Sequence, residues 1–254
     1  MIDPVEKAKW VLQTKAVGEI PALALKAIAD SEDIKFKIKP YAGDWDGILA
    51  FNGDKRAILV NTSIDNPARH NFTFAHELGH YFLEHPANYT SNGQSGIHCK
   101  ISEADIKQKG REREANRFAT ELLMPEERFR LLMLGAEIDF ALFAGLAVEF
   151  MVSKQACSYR VMALTQKPCV LVFSRNGKVT YCCESPAARG HLANNAFIPL
   201  DTTAHMIISS KIQQEHFTVC EANKWLRRSL PNQIVYECTR GSYGSGTAMT
   251  ILKW

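Results

Sequence analysis

The sequence has no long apolar run. Its apolar stretches fall well short of the roughly 20 residues that a membrane-spanning helix requires. Its first residues, MIDPVEKAKWVLQTKA, place acidic and basic side chains where a signal peptide needs an apolar segment. Both absences argue against secretion and against insertion in a membrane, so we expect a cytoplasmic protein.

The sequence also lacks a strong charge imbalance and a cysteine framework. Over 254 residues the net charge is only +3, so composition gives no electrostatic reason to expect wholesale binding to nucleic acid or to anionic membranes. The seven cysteines are odd in number and show no paired CxxC spacing, which favours reduced thiols over disulfides. What the chain does have is 46% apolar residues, which is ample for packed cores.

Apolar periodicity predicts the secondary structure of the first half. Helical spacing indicates helices at residues 5–16 and 21–31, and alternation indicates strands at 34–41, 47–51 and 57–61, the last two joined by a hairpin turn. Asn66 can cap a further helix that continues to about Glu84. A long loop at residues 86–102 separates it from a helix at 102–124, in which Gly110 is a candidate break.

The second half divides into a helical part and a β-rich part. Residues 126–164 have helical periodicity throughout, and from Pro168 onward the pattern predicts strands at 170–174, 179–183, 217–220, 234–239 and 247–252. We therefore predict three domains, at residues 1–125, 126–166 and 167–254. The expected fold class is α+β.

Five residues carry the clearest chemical signal, His76-Glu77-Leu78-Gly79-His80. Residues four apart share a helix face, so His76 and His80 can direct both imidazoles at one metal ion, while Glu77 can face a metal-bound water. Zinc with an open position lowers the pKa of that water toward about 7 and polarises a peptide carbonyl, and Glu77 would be the general base. The alternative is a surface helix that carries two histidines by chance.

A third ligand should come from another element. In one large class of such enzymes it is a glutamate on a following helix, supported by an acidic or amide residue one turn later. Glu112 and Asn116 have that spacing and share a face with Ala115 and Ala119, whereas Glu114 points roughly the opposite way. Spacing favours Glu112 as ligand, although both glutamates could be solvated charges beside arginines. Two histidines and a glutamate would also accept manganese or iron.

Two stretches together resemble a known family. FTFAHELGHYFLEH and EREANRFATELLMP, with the upstream GILAFNGDKRAILVN, are similar to the ImmA/IrrE family of bacterial and phage metallopeptidases. The resemblance covers roughly residues 5 to 130 and implies a minimal zincin-like domain, with zinc ligands His76, His80 and Glu112 and catalytic Glu77. It also implies a protein substrate, an XRE-type helix-turn-helix repressor whose cleavage derepresses its genes.

Other residues near the motif are weaker candidates. His85 lies five positions past His80 and is expected at the end of the helix, but it or Tyr81 could stabilise the transition state at a substrate carbonyl. We further assume that residues 57–61 present a sheet edge that pairs with an extended substrate.

Residues 146–164 predict a helix-turn-helix and hence a second function. Ser153 would cap its second helix, and Met151 occupies the turn position where glycine is usual. If that helix entered a major groove, the contacts would be Lys154, Gln155, Ser158 and Arg160. The protein would then be a metal-bearing transcription regulator that binds DNA directly. The alternative is a helical unit that shapes the substrate cleft.

The last 85 or so residues predict a mixed α/β domain. The end of the chain, TAMTILKW, and the upstream Trp225 are similar to the C-terminal region of related chains, some of which have a GAF-like domain. A plain structural role is an equal alternative. Our prediction is therefore a zincin-like peptidase domain, a helix-turn-helix-like region and a C-terminal mixed domain, with site-specific, zinc-dependent proteolysis as the function.

Overall fold

The computed structural model describes residues 3–15, 17–86, 88–89, 95–99, 106–188, 196–210, 215–242 and 246–254, and for residues 88–89, 95–99, 106–109 and 242 it describes the backbone alone. The chain forms two compact units. The first contains residues 1–136 and 144–157, and the second contains residues 137–143 and 158–254. The predicted division into three domains stays a prediction.

Helices and strands follow one another in runs, and every strand pair that the structure describes, except that of the first and third strands, is antiparallel, which confirms the α+β class. The helices are α1 (Pro4–Thr14), α2 (Pro21–Ser31), α3 (Pro67–Phe82), α4 (Ile106–Leu123), α5 (Glu126–Met133), α6 (Phe140–Glu149), α7 (Lys154–Leu164) and α8 (Thr203–Ser210). The strands are β1 (Ile34–Lys39), β2 (Gly47–Asn52), β3 (Lys55–Asn61), β4 (Asn88–Tyr89), β5 (Ser95–Cys99), β6 (Cys169–Arg175), β7 (Lys178–Glu184), β8 (Glu215–Glu221), β9 (Ile234–Ser242) and β10 (Thr247–Lys253).

The sheet of the first unit has the order β1-β3-β2-β5-β4. Strand β1 pairs with β3 in parallel, and the other neighbours are antiparallel. Strand β3 therefore lies inside the sheet, and the prediction that residues 57–61 offer an edge to a substrate is wrong. The predicted loop at 86–102 is also corrected in part, because β4 and β5 lie within it and β5 pairs with β2.

Helix α3 is the central element of the first unit. Asn66 caps it, accepting a hydrogen bond from the Arg69 amide at 3.2 Å, as the sequence predicts. The helix packs on β2 and β3 and on α4. Its buried residues surround the helix axis instead of forming one stripe, because neighbours cover several sides: Thr73, Phe74, Ala75, His76, Glu77, Leu78, Gly79, His80 and Phe82. Such a helix can hold polar side chains away from bulk water.

The segment after α3 departs from the prediction in two places. Helix α4 continues through Gly110, so the candidate break there does not occur. Residues 126–164 are not helical throughout, because the chain leaves the helix around Gly135 (φ 74°) and Met151 (φ 54°). Both residues adopt the left-handed conformation that ends helices.

The second unit is built on an antiparallel sheet of order β7-β6-β10-β9-β8, so all five predicted strands are present. One face carries an apolar core that includes Val170, Val172, Trp225 and Leu252. The six cysteines that the structure describes are free thiols. A GAF-like fold for this unit stays a prediction.

Glu237 on β9 is a carboxylate with no exposed surface. Its Oε1 accepts from the Ala204 amide in the first turn of α8 at 2.6 Å, and its Oε2 accepts from the Trp225 indole at 3.0 Å. Buried carboxylates persist only when donors replace water in this way. The side chain thus ties α8 and the turn at Ala222–Lys224 to the sheet.

Replacing Glu237 by leucine is expected to lower the free energy of unfolding by about 3 kcal/mol, because it leaves two buried donors without an acceptor. Urea unfolding measures the effect. Glu221→Leu is the matched control, since this carboxylate lies on the neighbouring β8 and is exposed, and we expect a change within about 0.5 kcal/mol. Equal effects of the two substitutions would contradict the role of Glu237 as a buried hydrogen-bond acceptor.

In the part of the chain that the structure describes, no single helix has both the length and the apolar character of a membrane span. Helices α6 and α7 pass that test only as a pair, and they are bent by 109° relative to each other.

Candidate metal centre

Helix α3 presents its two histidines on one face, as their spacing requires. His76 and His80 are 6% and 1% exposed, and Glu77 between them has no exposed surface. Their Nε2 atoms lie 3.0 Å apart. Both rings therefore face one point from the same side.

Helix α4 supplies the third donor. Glu112 Oε2 lies 3.1 Å from His76 Nε2, and its Oε1 lies 3.4 Å from His80 Nε2. These three residues form a group whose donor atoms all lie within 4.8 Å of one another. Glu114, the alternative ligand, does not join this group. The preference for Glu112 from spacing agrees with this geometry.

The donor triangle fits a divalent cation. Zinc bonds nitrogen and carboxylate oxygen at about 2.0–2.2 Å, so two of its ligands in a tetrahedron lie about 3.3 Å apart. The two Nε2 atoms lie 3.0 Å apart, and each lies at a similar distance from a different oxygen of Glu112, His76 at 3.1 Å from Oε2 and His80 at 3.4 Å from Oε1, so all three separations are close to that value. Two imidazoles and one carboxylate leave a fourth position for water or substrate, which is the arrangement of catalytic zinc sites. The same donors accept manganese or iron.

Asn116 lies behind His76. Its Oδ1 is 2.9 Å from His76 Nδ1, so the ring donates its Nδ1 proton to the amide and keeps Nε2 for the donor triangle. A contact of this kind fixes both the tautomer and the direction of the ring.

The histidines and Glu112 have strongly shifted proton affinities. Burial lowers the pKa of His80 to about 4, despite its hydrogen bond with Glu112. For Glu112, burial raises the pKa, but the hydrogen bonds with His76 and His80 outweigh it and hold the value at about 2. Burial also lowers the pKa of His76, yet the hydrogen bond with Glu112 and the charges of Glu77 and Glu112 leave it above its usual value. Of the three groups, His76 therefore loses its proton at the highest pH.

Metal affinity is expected to rise with pH and then level off. Below the raised pKa of His76 one proton competes with the metal, so affinity should fall about tenfold per pH unit. His80 and Glu112, with pKa values of about 4 and about 2, are already deprotonated at neutral pH and add nothing to the slope there. Competition with a chelator of known affinity, repeated across the pH range, measures this. A pH dependence of the metal affinity that requires two competing protons near neutral pH would contradict this expectation.

Tyr81 and His85 contact groups other than a substrate position. The Tyr81 hydroxyl donates to Glu32 Oε2 at 2.8 Å. Both ring nitrogens of His85 are engaged, Nδ1 with His80 Nδ1 at 2.8 Å and Nε2 with Glu114 Oε2 at 3.0 Å. These contacts give no support to the predicted role of either residue in stabilising a transition state.

Two glycines shape the site, and sequence reasoning assigned neither a role. A Cβ atom on Gly79 would lie 3.1 Å from the Ala115 Cα atom, so α3 and α4 meet almost backbone to backbone. A Cβ atom on Gly47, the first residue of β2, would lie 2.4 Å from Glu77 Oε1 and 2.6 Å from Thr73 Cγ2. The missing side chain at Gly47 leaves the room that Glu77 occupies. A glycine at the start of a strand is too common for the sequence to signal this.

Gly47→Ala is expected to lower the free energy of unfolding by about 1–3 kcal/mol, because the added methyl group overlaps buried atoms of Glu77 and Thr73. Gly18→Ala is the matched control, since nothing lies within 4 Å of a Cβ atom at Gly18. We expect that variant to stay within about 0.5 kcal/mol of the wild type. Chemical unfolding of both measures the difference, and a neutral Gly47→Ala would refute the steric argument.

Residues 146–164 have a local geometry that is compatible with a helix-turn-helix, which stays a prediction. Ser153 Oγ caps α7 by accepting from the Ala156 amide at 3.0 Å, and the 109° bend between α6 and α7 lies within the range of such motifs. The residues proposed as DNA contacts differ in their exposure to solvent. Lys154 and Gln155 are exposed, Arg160 is half-buried and Ser158 is fully buried, so Ser158 is not available to a base.

The comparisons with known proteins agree with the metal centre. The model of the IrrE N-terminal-like domain, peptidase M78, matches residues 29–162, slightly more than half of the chain. The chain belongs to the ImmA/IrrE family. The family model thus supports a metallopeptidase-type domain with α3 and α4 at its centre.

One solved structure is similar over the whole chain. The structure titled "Mycobacterium tuberculosis transcriptional regulator" aligns with a TM-score of 0.65 and 13% identity, covering 100% of this chain and 76% of that one. At this identity the likeness is one of fold alone. A search of curated proteins found no match.

Proposed function

We propose that this member of the ImmA/IrrE family is a zinc-dependent, site-specific endopeptidase that cleaves a helix-turn-helix transcriptional repressor. The observation that carries the proposal is the donor triangle of His76, His80 and Glu112, with a fully buried Glu77 beside it. A zinc ion held by these donors would supply the Lewis acidity that polarises a peptide carbonyl and acidifies a water.

The residues of the chain supply the remaining chemistry. Glu77 takes the proton of the attacking water and passes it to the leaving amine, so one carboxylate serves as base and then as acid. Burial without exposed surface keeps that carboxylate out of bulk water, where competing hydrogen bonds would weaken it. Asn116 holds the His76 ring in the orientation that the triangle needs.

The test incubates the zinc-loaded protein with helix-turn-helix repressors from the same genome, beginning with those encoded beside it. We expect one cut in one repressor, abolished by chelator and restored by zinc. The proposed activity would be contradicted if every repressor stayed intact while the protein carried stoichiometric zinc.

A second candidate function is direct DNA binding through residues 146–164. It is favoured by the similarity in fold to a protein described as a transcriptional regulator, and by the capped, bent helix pair. Against it, Lys154, Gln155 and Ala163 are the exposed residues of α7, which is little surface for a major groove. Phosphate contacts weaken steeply as salt rises, so salt-dependent retention on DNA, lost on Lys154→Glu, would favour this candidate.

A further inference from the structure

Three side chains form a hydrogen-bonded chain that leads away from the donor triangle. His80 Nδ1 lies 2.8 Å from His85 Nδ1, and His85 Nε2 lies 3.0 Å from Glu114 Oε2. His80 is 1% and His85 is 8% exposed. Water therefore competes little for the contact between the two rings.

Only one placement of the ring protons lets every group in this chain of hydrogen bonds pair a donor with an acceptor. His80 directs Nε2 at the donor triangle, so a neutral His80 that binds metal there carries its proton on Nδ1. Two ring nitrogens at 2.8 Å bond only if one donates and the other accepts, so His85 Nδ1 is the acceptor. The His85 proton then lies on Nε2, where it is donated to the Glu114 carboxylate. Each donor meets an acceptor, and the negative charge lies at the far end.

The end of α3 places His85 beneath His80. Glu84 adopts a left-handed conformation with φ 55°, and the His85 amide donates back to the His80 carbonyl at 3.0 Å. This turn closes the helix and reverses the chain. His85, five positions after His80, is thereby returned to the ring that it would miss on a continuing helix.

We propose that His85 and Glu114 are positioning residues that fix the tautomer and orientation of His80 for metal binding. The inference rests on the proposed function, because it requires His80 to be a metal ligand. A hydrogen bond from a ligand histidine to a negatively charged chain makes the ring a stronger donor. At the corresponding nitrogen of His76, Nδ1 lies against the neutral amide oxygen of Asn116, so the contacts behind the two rings differ in charge.

The experiment measures zinc affinity by chelator competition for the wild type, His85→Ala, Glu114→Gln and Glu84→Gln. We expect His85→Ala to weaken zinc binding about 10- to 100-fold and Glu114→Gln several-fold, in line with the general effect of such outer contacts. Glu84→Gln is the control because it removes an exposed carboxylate next to His85, and its affinity should stay within about twofold of the wild type.

A spectroscopic readout separates positioning from general damage to the fold. In the zinc-loaded, ¹⁵N-histidine-labelled protein, the Nδ1 proton of His80 should give a hydrogen-bonded resonance that is lost in His85→Ala and shifted in Glu114→Gln. Wild-type affinity and an unmoved resonance in Glu114→Gln would overturn the inference, even if His85→Ala fails to fold. Failure of the wild type itself to bind zinc would instead overturn the proposed function.

Discussion

Glu77→Gln is expected to lower the rate of repressor cleavage by about 10²- to 10⁴-fold, the usual contribution of a general acid–base group. The amide has nearly the same shape as the carboxylate but cannot take a proton from water. Because Glu77 lies outside the group of donor atoms, the variant should bind zinc with nearly wild-type affinity. Cleavage assays and metal analysis on the same preparation measure the two properties together.

The control for this variant is Glu84→Gln, which removes a carboxylate at an exposed position on the same segment. We expect it to cleave at the wild-type rate. A second check uses pH, because the charge of Glu77 raises the pKa of His76. In Glu77→Gln, the pH at which metal affinity levels off should therefore move down. Wild-type cleavage by Glu77→Gln would eliminate the proposed mechanism.

Glu112→Ala is expected to weaken zinc binding by about a thousandfold. Zinc sites of proteins bind with roughly 10–16 kcal/mol in total, so the loss of one of three protein ligands removes on the order of 4 kcal/mol. The substitution also removes the carboxylate that holds the His76 proton, so the pKa of His76 should fall toward its usual value. Chelator competition measures the affinity, and NMR titration of His76 measures the pKa.

Glu114→Ala is the matched comparison for Glu112→Ala. The two glutamates are separated by one residue on α4, yet Glu112 lies against His76 and His80 while Glu114 contacts His85. We expect the Glu114 variant to lose about tenfold in affinity, since it acts on the metal through two intervening rings. A larger loss for Glu114→Ala than for Glu112→Ala would show that the ligand is misassigned.

The sequence was sufficient for the parts of the site that follow from helical spacing. His76 and His80 share a face because they are four apart, and Glu112 with Asn116 repeats that spacing on the next helix. Strands β1 to β3 and the five strands of the second sheet also follow from alternation, to within a few residues, whereas β4 and β5 lie in a segment that was predicted to be a loop. Helical spacing and alternation are local patterns. They show where helices and strands lie along the chain but not which of them pack together.

The rest depends on contacts between distant elements. A hairpin between β2 and β3 does not reveal that β1 lies on the other side of β3, so the wrong strand was expected at the edge. The contact between His85 and His80 was not predicted, because the left-handed position after α3 is taken by Glu84 and not by glycine, so the sequence has no recognisable signal for the turn. Ser158 was a predicted contact only if α7 bound DNA, and its burial depends on which elements pack against that helix.

The close approach of α3 and α4 at Gly79 and Ala115 has a consequence for how relatives of this protein should be classified. The donors meet because Gly79 has no side chain at a point where the Ala115 backbone and the Phe118 ring of α4 lie 3.1 Å from the position that a Cβ atom would take. A relative could retain every ligand and the general base and still lose the site through one bulky residue at the position of Gly79. Such a chain would match the peptidase motif in any pattern search. The position between the histidines therefore deserves inspection before a member of the family is counted as an active enzyme.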